Sequence, residues 1–64
     1  MSNYGVTIER GRVISDKGRV ESLTRPGLVT PELKAVEGFT FQTGMYVYYF
    51  MFADGSGLIL GEVV

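Results

Sequence analysis

The nine residues Met45-Tyr46-Val47-Tyr48-Tyr49-Phe50-Met51-Phe52-Ala53 contain no charge, no Gly and no Pro, and Asp54-Gly55-Ser56-Gly57 follows them directly. A run this rich in aromatic and β-branched residues reads as a strand, and the Asp-Gly-Ser-Gly segment as its turn. Leu58 to Val64 answers it, so the C-terminal third is expected to be a β-hairpin. Alternate residues of a strand point to opposite sides. Met45, Val47, Tyr49, Met51 and Ala53 therefore share one side, and Tyr46, Tyr48, Phe50 and Phe52 share the other. The answering strand repeats the pattern, with Ile59 and Val63 on one side and Leu58 and Leu60 on the other until Glu62 interrupts. Neither side of the ribbon is polar.

A chain of 64 residues has room for a single interior. Each aromatic side chain buries ~150–250 Å², so four on an outer side exceed the few hundred Å² of contiguous apolar surface usual on a soluble monomer. Two arrangements would hide them. A second chain could pack there, or the connection 25–37 could fold across within one chain. That connection offers only Leu28, Val29, Leu33, Ala35 and Val36 as cover. The expectation is therefore a homo-oligomer or larger protein assembly, with Tyr46, Tyr48, Phe50, Phe52, Leu58 and Leu60 as the interface.

The rest of the chain is consistent with an all-β fold. Nine Gly and two Pro recur at short intervals, and no stretch holds a capped 3.6-period apolar stripe. Val6 to Ile14 is expected as a first strand, bent by a bulge near Gly11 where the alternation slips. Ser15-Asp16-Lys17-Gly18 should turn, with Asp16 bonding its own backbone, into a second strand from Arg19 to Thr24. Thr30 is placed to cap a single helical turn over Pro31-Glu32-Leu33-Lys34-Ala35. Gly38 to Gly44 alternates aromatic and polar residues, as a short strand does. Residues 1–5 would form a tail and residues 6–64 one domain. Five short strands in so few residues suggest a small barrel of the OB or SH3-like kind, because closure removes exposed sheet edges.

Several functions are disfavoured by what is missing. With no Cys and no His, disulfides, zinc sites and imidazole- or thiolate-based catalysis are not expected. Asp54 is the sole carboxylate of its turn, too few for calcium. Glu9 and Glu21 could face one another as a carboxylate pair only in a register that spacing does not define. No catalytic residue, cofactor, metal or small-molecule substrate is expected. The nine-residue apolar run is well short of the ~20 residues of a membrane-spanning helix. The amino terminus lacks the blocks of a secretory signal and the absence of Cys fits a reducing compartment or a virion, so cytoplasmic synthesis is expected.

The charge is uneven: the first 34 residues carry six basic and four acidic groups, and the last 30 carry only Glu37, Asp54 and Glu62. An OB-like barrel with exposed aromatics raises base stacking, with Arg10, Arg12, Arg19 and Arg25 as phosphate contacts. A net charge of −1, with the aromatic strand in the acidic half, disfavours nucleic acid as partner.

The run from Gly44 through Met45 to Ala53, Asp54-Gly55-Ser56-Gly57 and Leu58-Ile59-Leu60-Gly61 resembles small OB-fold domains of phage tail, baseplate hub and spike proteins. Gly11-Arg12-Val13 and Thr30-Pro31 upstream are similar to the approach in those domains, so the likeness covers about Val6 to Val64. Met45 departs from it, standing where such domains carry an Asp, and the strand is about one residue longer. The resemblance implies that Val47, Tyr49 and Met51 take core positions and that Tyr46, Tyr48, Phe50 and Phe52 point outward. It also implies a non-enzymatic structural role in a phage or prophage particle.

Overall fold

The structure is a computed structural model that describes residues 8–64. The expected tail over 1–5, and Val6 and Thr7 of the expected first strand, lie outside the described residues. Five strands form one mixed sheet: β1 (Ile8–Val13), β2 (Val20–Ser22), β3 (Lys34–Ala35), β4 (Tyr46–Met51) and β5 (Gly57–Glu62). Their order is β2-β1-β4-β5-β3, with β3 and β5 parallel and every other pair antiparallel. The all-β class and the strand number agree with the sequence reading.

The ladder of strands is not a closed ring, but the connection between β2 and β3 brings its two margins together. The Ser22 N–H donates to the Leu28 carbonyl at 2.9 Å, the Thr30 N–H to Val20 at 2.8 Å, and the Leu33 N–H to Gly18 at 2.9 Å. Glu21 and Val29 form an antiparallel bridge. Residues 28–33 thus run along the free side of β2, and the same stretch of chain continues as β3 on the far side of β5. With its margins drawn together in this way, the open five-stranded sheet is barrel-like, as the sequence suggested.

The core consists of Val13, Val20, Leu33, Val47, Tyr49 and Ile59, with Ala35, Phe39, Phe41, Met45 and Met51 packed around it. Burying each aliphatic side chain stabilises the fold by about 1.5–3 kcal/mol. Val47 and Tyr49 come from the side of β4 expected to face inward, with Met45 and Met51 half-buried beside them. Ala53 is exposed instead, because β4 ends at Met51 and the turn begins at Phe52.

Several local expectations are corrected. β1 has no bulge at Gly11, since its pairing with β4 runs unbroken from Ile8↔Phe50 to Arg12↔Tyr46. The glycine is there for space: a Cβ would sit 2.8 Å from the Glu21 carbonyl oxygen and 2.9 Å from Tyr49 Cε1, and would also strike Val20. The irregularity lies in β5, where Tyr49 pairs Ile59 but Tyr48 pairs Gly61, leaving Leu60 as an extra residue. That extra residue breaks the simple alternation that joined Ile59 to Val63. Ile59 is fully buried and Val63 is not.

Residues 31–35 form no helical turn. Thr30 does not cap one: its Oγ1 accepts from the Val20 N–H at 3.0 Å and donates to the Pro31 carbonyl at 2.8 Å, which holds the chain extended into β3. Residues 38–44 are not a strand either. They turn twice, through Phe39 N–H to Val36 O at 3.1 Å and Met45 N–H to Gln42 O at 3.1 Å, while Phe39 and Phe41 pack on the core. In the first hairpin the side chain that braces the turn is Ser15 and not Asp16, with Ser15 Oγ accepting from the Lys17 N–H at 3.1 Å. The second strand is shorter than expected, Val20–Ser22.

Candidate interaction face

The outer side of the sheet is built from the residues of β1, β4 and β5 that alternate away from the core. Directly opposed residues in a ladder project to the same side. In the register of β1 with β4, Ile8 lies beside Phe50, Arg10 beside Tyr48 and Arg12 beside Tyr46. On the other side of β4, Leu58 lies beside Phe50, and Lys34 of β3 lies beside Leu58.

Tyr46 is 50% exposed, Tyr48 39% and Phe52 44%, so three of the four aromatics expected to point outward do so. Phe50 is half-buried because it sits between Ile8 and Leu58 in register and takes the edge of Phe52, their ring centroids 5.0 Å apart at 75°. Leu58 and Leu60 are half-buried. Ile8, at 61% exposed, extends the apolar surface across β1. The connection 25–37 leaves Tyr46, Tyr48 and Phe52 exposed. Val29, Leu33 and Ala35 are engaged at β2, in the core and beside β5.

The four candidate arginines divide into two pairs. Arg10 and Arg12 are exposed on the face itself, with Arg12 in a loose ion pair to Glu21 at 3.8 Å. Arg19 lies off the face, its Nε donating to the Thr30 carbonyl at 3.3 Å. Arg25 is bonded to Glu9 at 2.6 Å. The objection that basic and aromatic residues occupy different halves of the chain does not hold in the fold, because β1 pairs with β4. Ile8 and Lys34 were missed as members of the face. Alternation groups Ile8 with Arg10 and Arg12, but only the β1–β4 register brings that group to the aromatic row.

The inner side ends in a polar cluster around Glu9. Glu9 Oε1 accepts from Tyr49 OH at 3.2 Å, Ser22 Oγ at 3.2 Å and Thr24 Oγ1 at 3.4 Å. Its other oxygen holds Arg25. Ser22 Oγ in turn accepts the N–H groups of Thr24 at 3.2 Å and Arg25 at 3.0 Å. The Glu9 side chain is only 14% exposed, and its bonds bind β1, β4 and the loop after β2 into one unit. Burial pushes the Tyr49 phenol above 10.0, and the Glu9 carboxylate adds to this while Ser22 and Arg25 oppose it. Glu9 and Glu21 do not form a facing carboxylate pair: Glu9 lies opposite Tyr49, and Glu21 opposite Arg12. At the hairpin tip, hydrogen bonds from the Ser56 hydroxyl at 2.7 Å and the Ser56 N–H at 3.0 Å hold the Asp54 carboxyl below its ordinary range.

Fold and face together define a small all-β, barrel-like domain with a built polar lock on its inner side and an uncovered aromatic surface on its outer side. Comparison of the chain with protein-family models, curated proteins and solved structures gave no match.

Proposed function

We propose that this chain is a non-enzymatic structural module that self-associates through the outer face of β1, β4 and β5. Such a module would serve the assembly of a phage or prophage tail or baseplate, in the host cytoplasm or in the virion. One observation carries the reading. Tyr46 and Tyr48 on the middle of the sheet, and Phe52 just past the end of β4, stay 39–50% exposed, while the connection able to cover them is spent on joining the sheet's margins. The resemblance of residues 44–61 to tail and hub domains points the same way. The most concentrated cluster of polar groups, around Glu9, is tied up in mutual hydrogen bonds, which leaves little for catalysis.

The test is light scattering over a range of concentrations. The wild type should show a mass above one subunit, and Tyr48→Glu should be a folded monomer. A wild type that remains a monomer removes self-association, and leaves the same face to dock on a larger host protein as an adaptor or inhibitor.

The cross-strand pairs Arg10↔Tyr48 and Arg12↔Tyr46 favour a second reading, in which the face stacks bases and contacts phosphates of a single-stranded nucleic acid. Binding of a labelled oligothymidine that falls steeply with salt would support it. No binding at low salt removes it.

A further inference from the structure

We infer that the self-association proposed above, on which this inference rests, is head-to-tail: the outer face of one copy meets exposed carboxylates that lie off that face on the next copy, not the same face of a mate. The argument is the distribution of charge that the fold creates. The outer face gathers Arg10, Arg12 and Lys34 against Glu21 alone, a local balance of +2. The remaining charged residues are Lys17, Arg19 and Arg25 against Glu9, Asp16, Glu32, Glu37, Asp54 and Glu62, a balance of −3 that restores the net −1 of the chain. Glu9 and Arg25 neutralise one another. Asp16, Glu32, Glu37, Asp54 and Glu62 are all exposed, and among the described residues none of them is in an ion pair. Arg10 and Lys34 are likewise exposed and without an ion-pair partner there.

A two-fold contact applies one patch to its own copy. Here it would bring Arg10, Arg12 and Lys34 against a second set of the same cations around a row of desolvated aromatics, where like charges are costly. A head-to-tail contact sets those cations against carboxylates. It also uses the Tyr and Arg side chains in the way interfaces favour them, as large anchors with one polar end. Repeated by rotation, such a contact closes into a ring of three or more copies.

The experiment is light scattering on the full chain at about 0.05 M and about 0.5 M salt, across the range where screening sets in. It compares wild type, the double variant Arg10→Glu/Arg12→Glu, and their equimolar mixture, with circular dichroism to show that each is folded. The expected result is a wild-type mass of three or more subunits that falls as salt rises. The double variant should be monomeric, and the mixture should have a lower mean mass than wild type, because each variant copy ends the chain of contacts. If the double variant fails to fold, Arg10→Gln/Arg12→Gln replaces it with the same expectation of at least tenfold weaker association.

A mixture that assembles into two-copy species more tightly than wild type would show like faces meeting. That overturns the head-to-tail inference and leaves the assembly function standing, as would an assembly indifferent to salt. A wild type that is monomeric at every concentration overturns both, and salt-sensitive binding of oligothymidine by that monomer would reassign the face to nucleic acid.

Discussion

The two sides of β4 use the same kind of residue for opposite ends. On the inner side Tyr49 is 1% exposed, its ring laid against Gly11 and its hydroxyl bonded to Glu9. On the outer side Tyr48, the next residue, is 39% exposed beside Arg10. Large aromatic area is thus anchored in one place and presented in the other. What separates them is the presence of a specific partner, because among the described residues every buried side-chain polar atom is hydrogen-bonded. The comparison implies that substitutions inside should change stability and substitutions outside should change association.

The largest effect is expected from a charge placed inside. Val47 has no exposed surface, so Val47→Glu should abolish the cooperative thermal transition in circular dichroism. Tyr48→Glu, one position along, should keep that transition and change only the mass in solution. A folded, soluble Val47→Glu protein would mean the sides are reversed.

Next comes Gly11→Ala, in which one methyl group would collide with Val20, Tyr49 and the Glu21 carbonyl at once. Backbone cannot give way as a side-chain tip can, so a loss of about 1–3 kcal/mol is expected, read as the shift of a urea midpoint. No change would show that the close approach of Tyr49 to β1 is not maintained in solution.

Glu9→Ala should cost about 1–3 kcal/mol in the same assay, since it strips the partners from Tyr49, Ser22, Thr24 and Arg25 together.

The smallest effect is that of Tyr49→Phe, about 0.5–1.5 kcal/mol at neutral pH. This change carries a pH signature. The folded-state value for Tyr49 is raised, so its contribution is complete below its ordinary value of 10.0 and is lost as pH climbs through the higher folded value. Wild-type stability should therefore fall more steeply above about pH 10 than that of Tyr49→Phe. Parallel curves would dissociate Tyr49 from any alkaline weakness.

Legibility in the sequence followed the strength of the local pattern. The β4–β5 hairpin was readable because nine residues without charge, Gly or Pro end in a turn sequence. Alternation then separated Val47 and Tyr49 from Tyr46 and Tyr48. The first hairpin was readable for similar reasons. Residues 30–44 were misread because their conformation is decided by distant partners. Thr30 has the chemistry of a helix cap, but its hydroxyl is claimed by Val20, ten residues away in the chain. Phe39 and Phe41 alternate as a strand would, yet they are satisfied by packing on the core with no strand to pair with. The slip of alternation near Gly11 reads as a bulge in β1, yet the bulge belongs to another strand. Its position in β5 depends on pairing with β4, which no single segment reveals. Of the candidate face, the aromatic row was visible in advance. The neighbouring cations required the β1–β4 and β3–β5 registers, and setting aside Arg19 and Arg25 required their bonds to Thr30 and Glu9.

The stretch from Leu28 to Ala35 touches β2 with its first half and β5 with its second. It therefore works as a clasp whose length is matched to the girth of the sheet. A few extra residues between Asp54 and Gly55 would lengthen an exposed turn, whereas the same residues inserted between Thr30 and Leu33 would push one half of the clasp out of step with the other. Cutting the clasp would leave a flat ribbon free to splay, so a new terminus or an inserted tag is better tolerated at the exposed 53–56 turn.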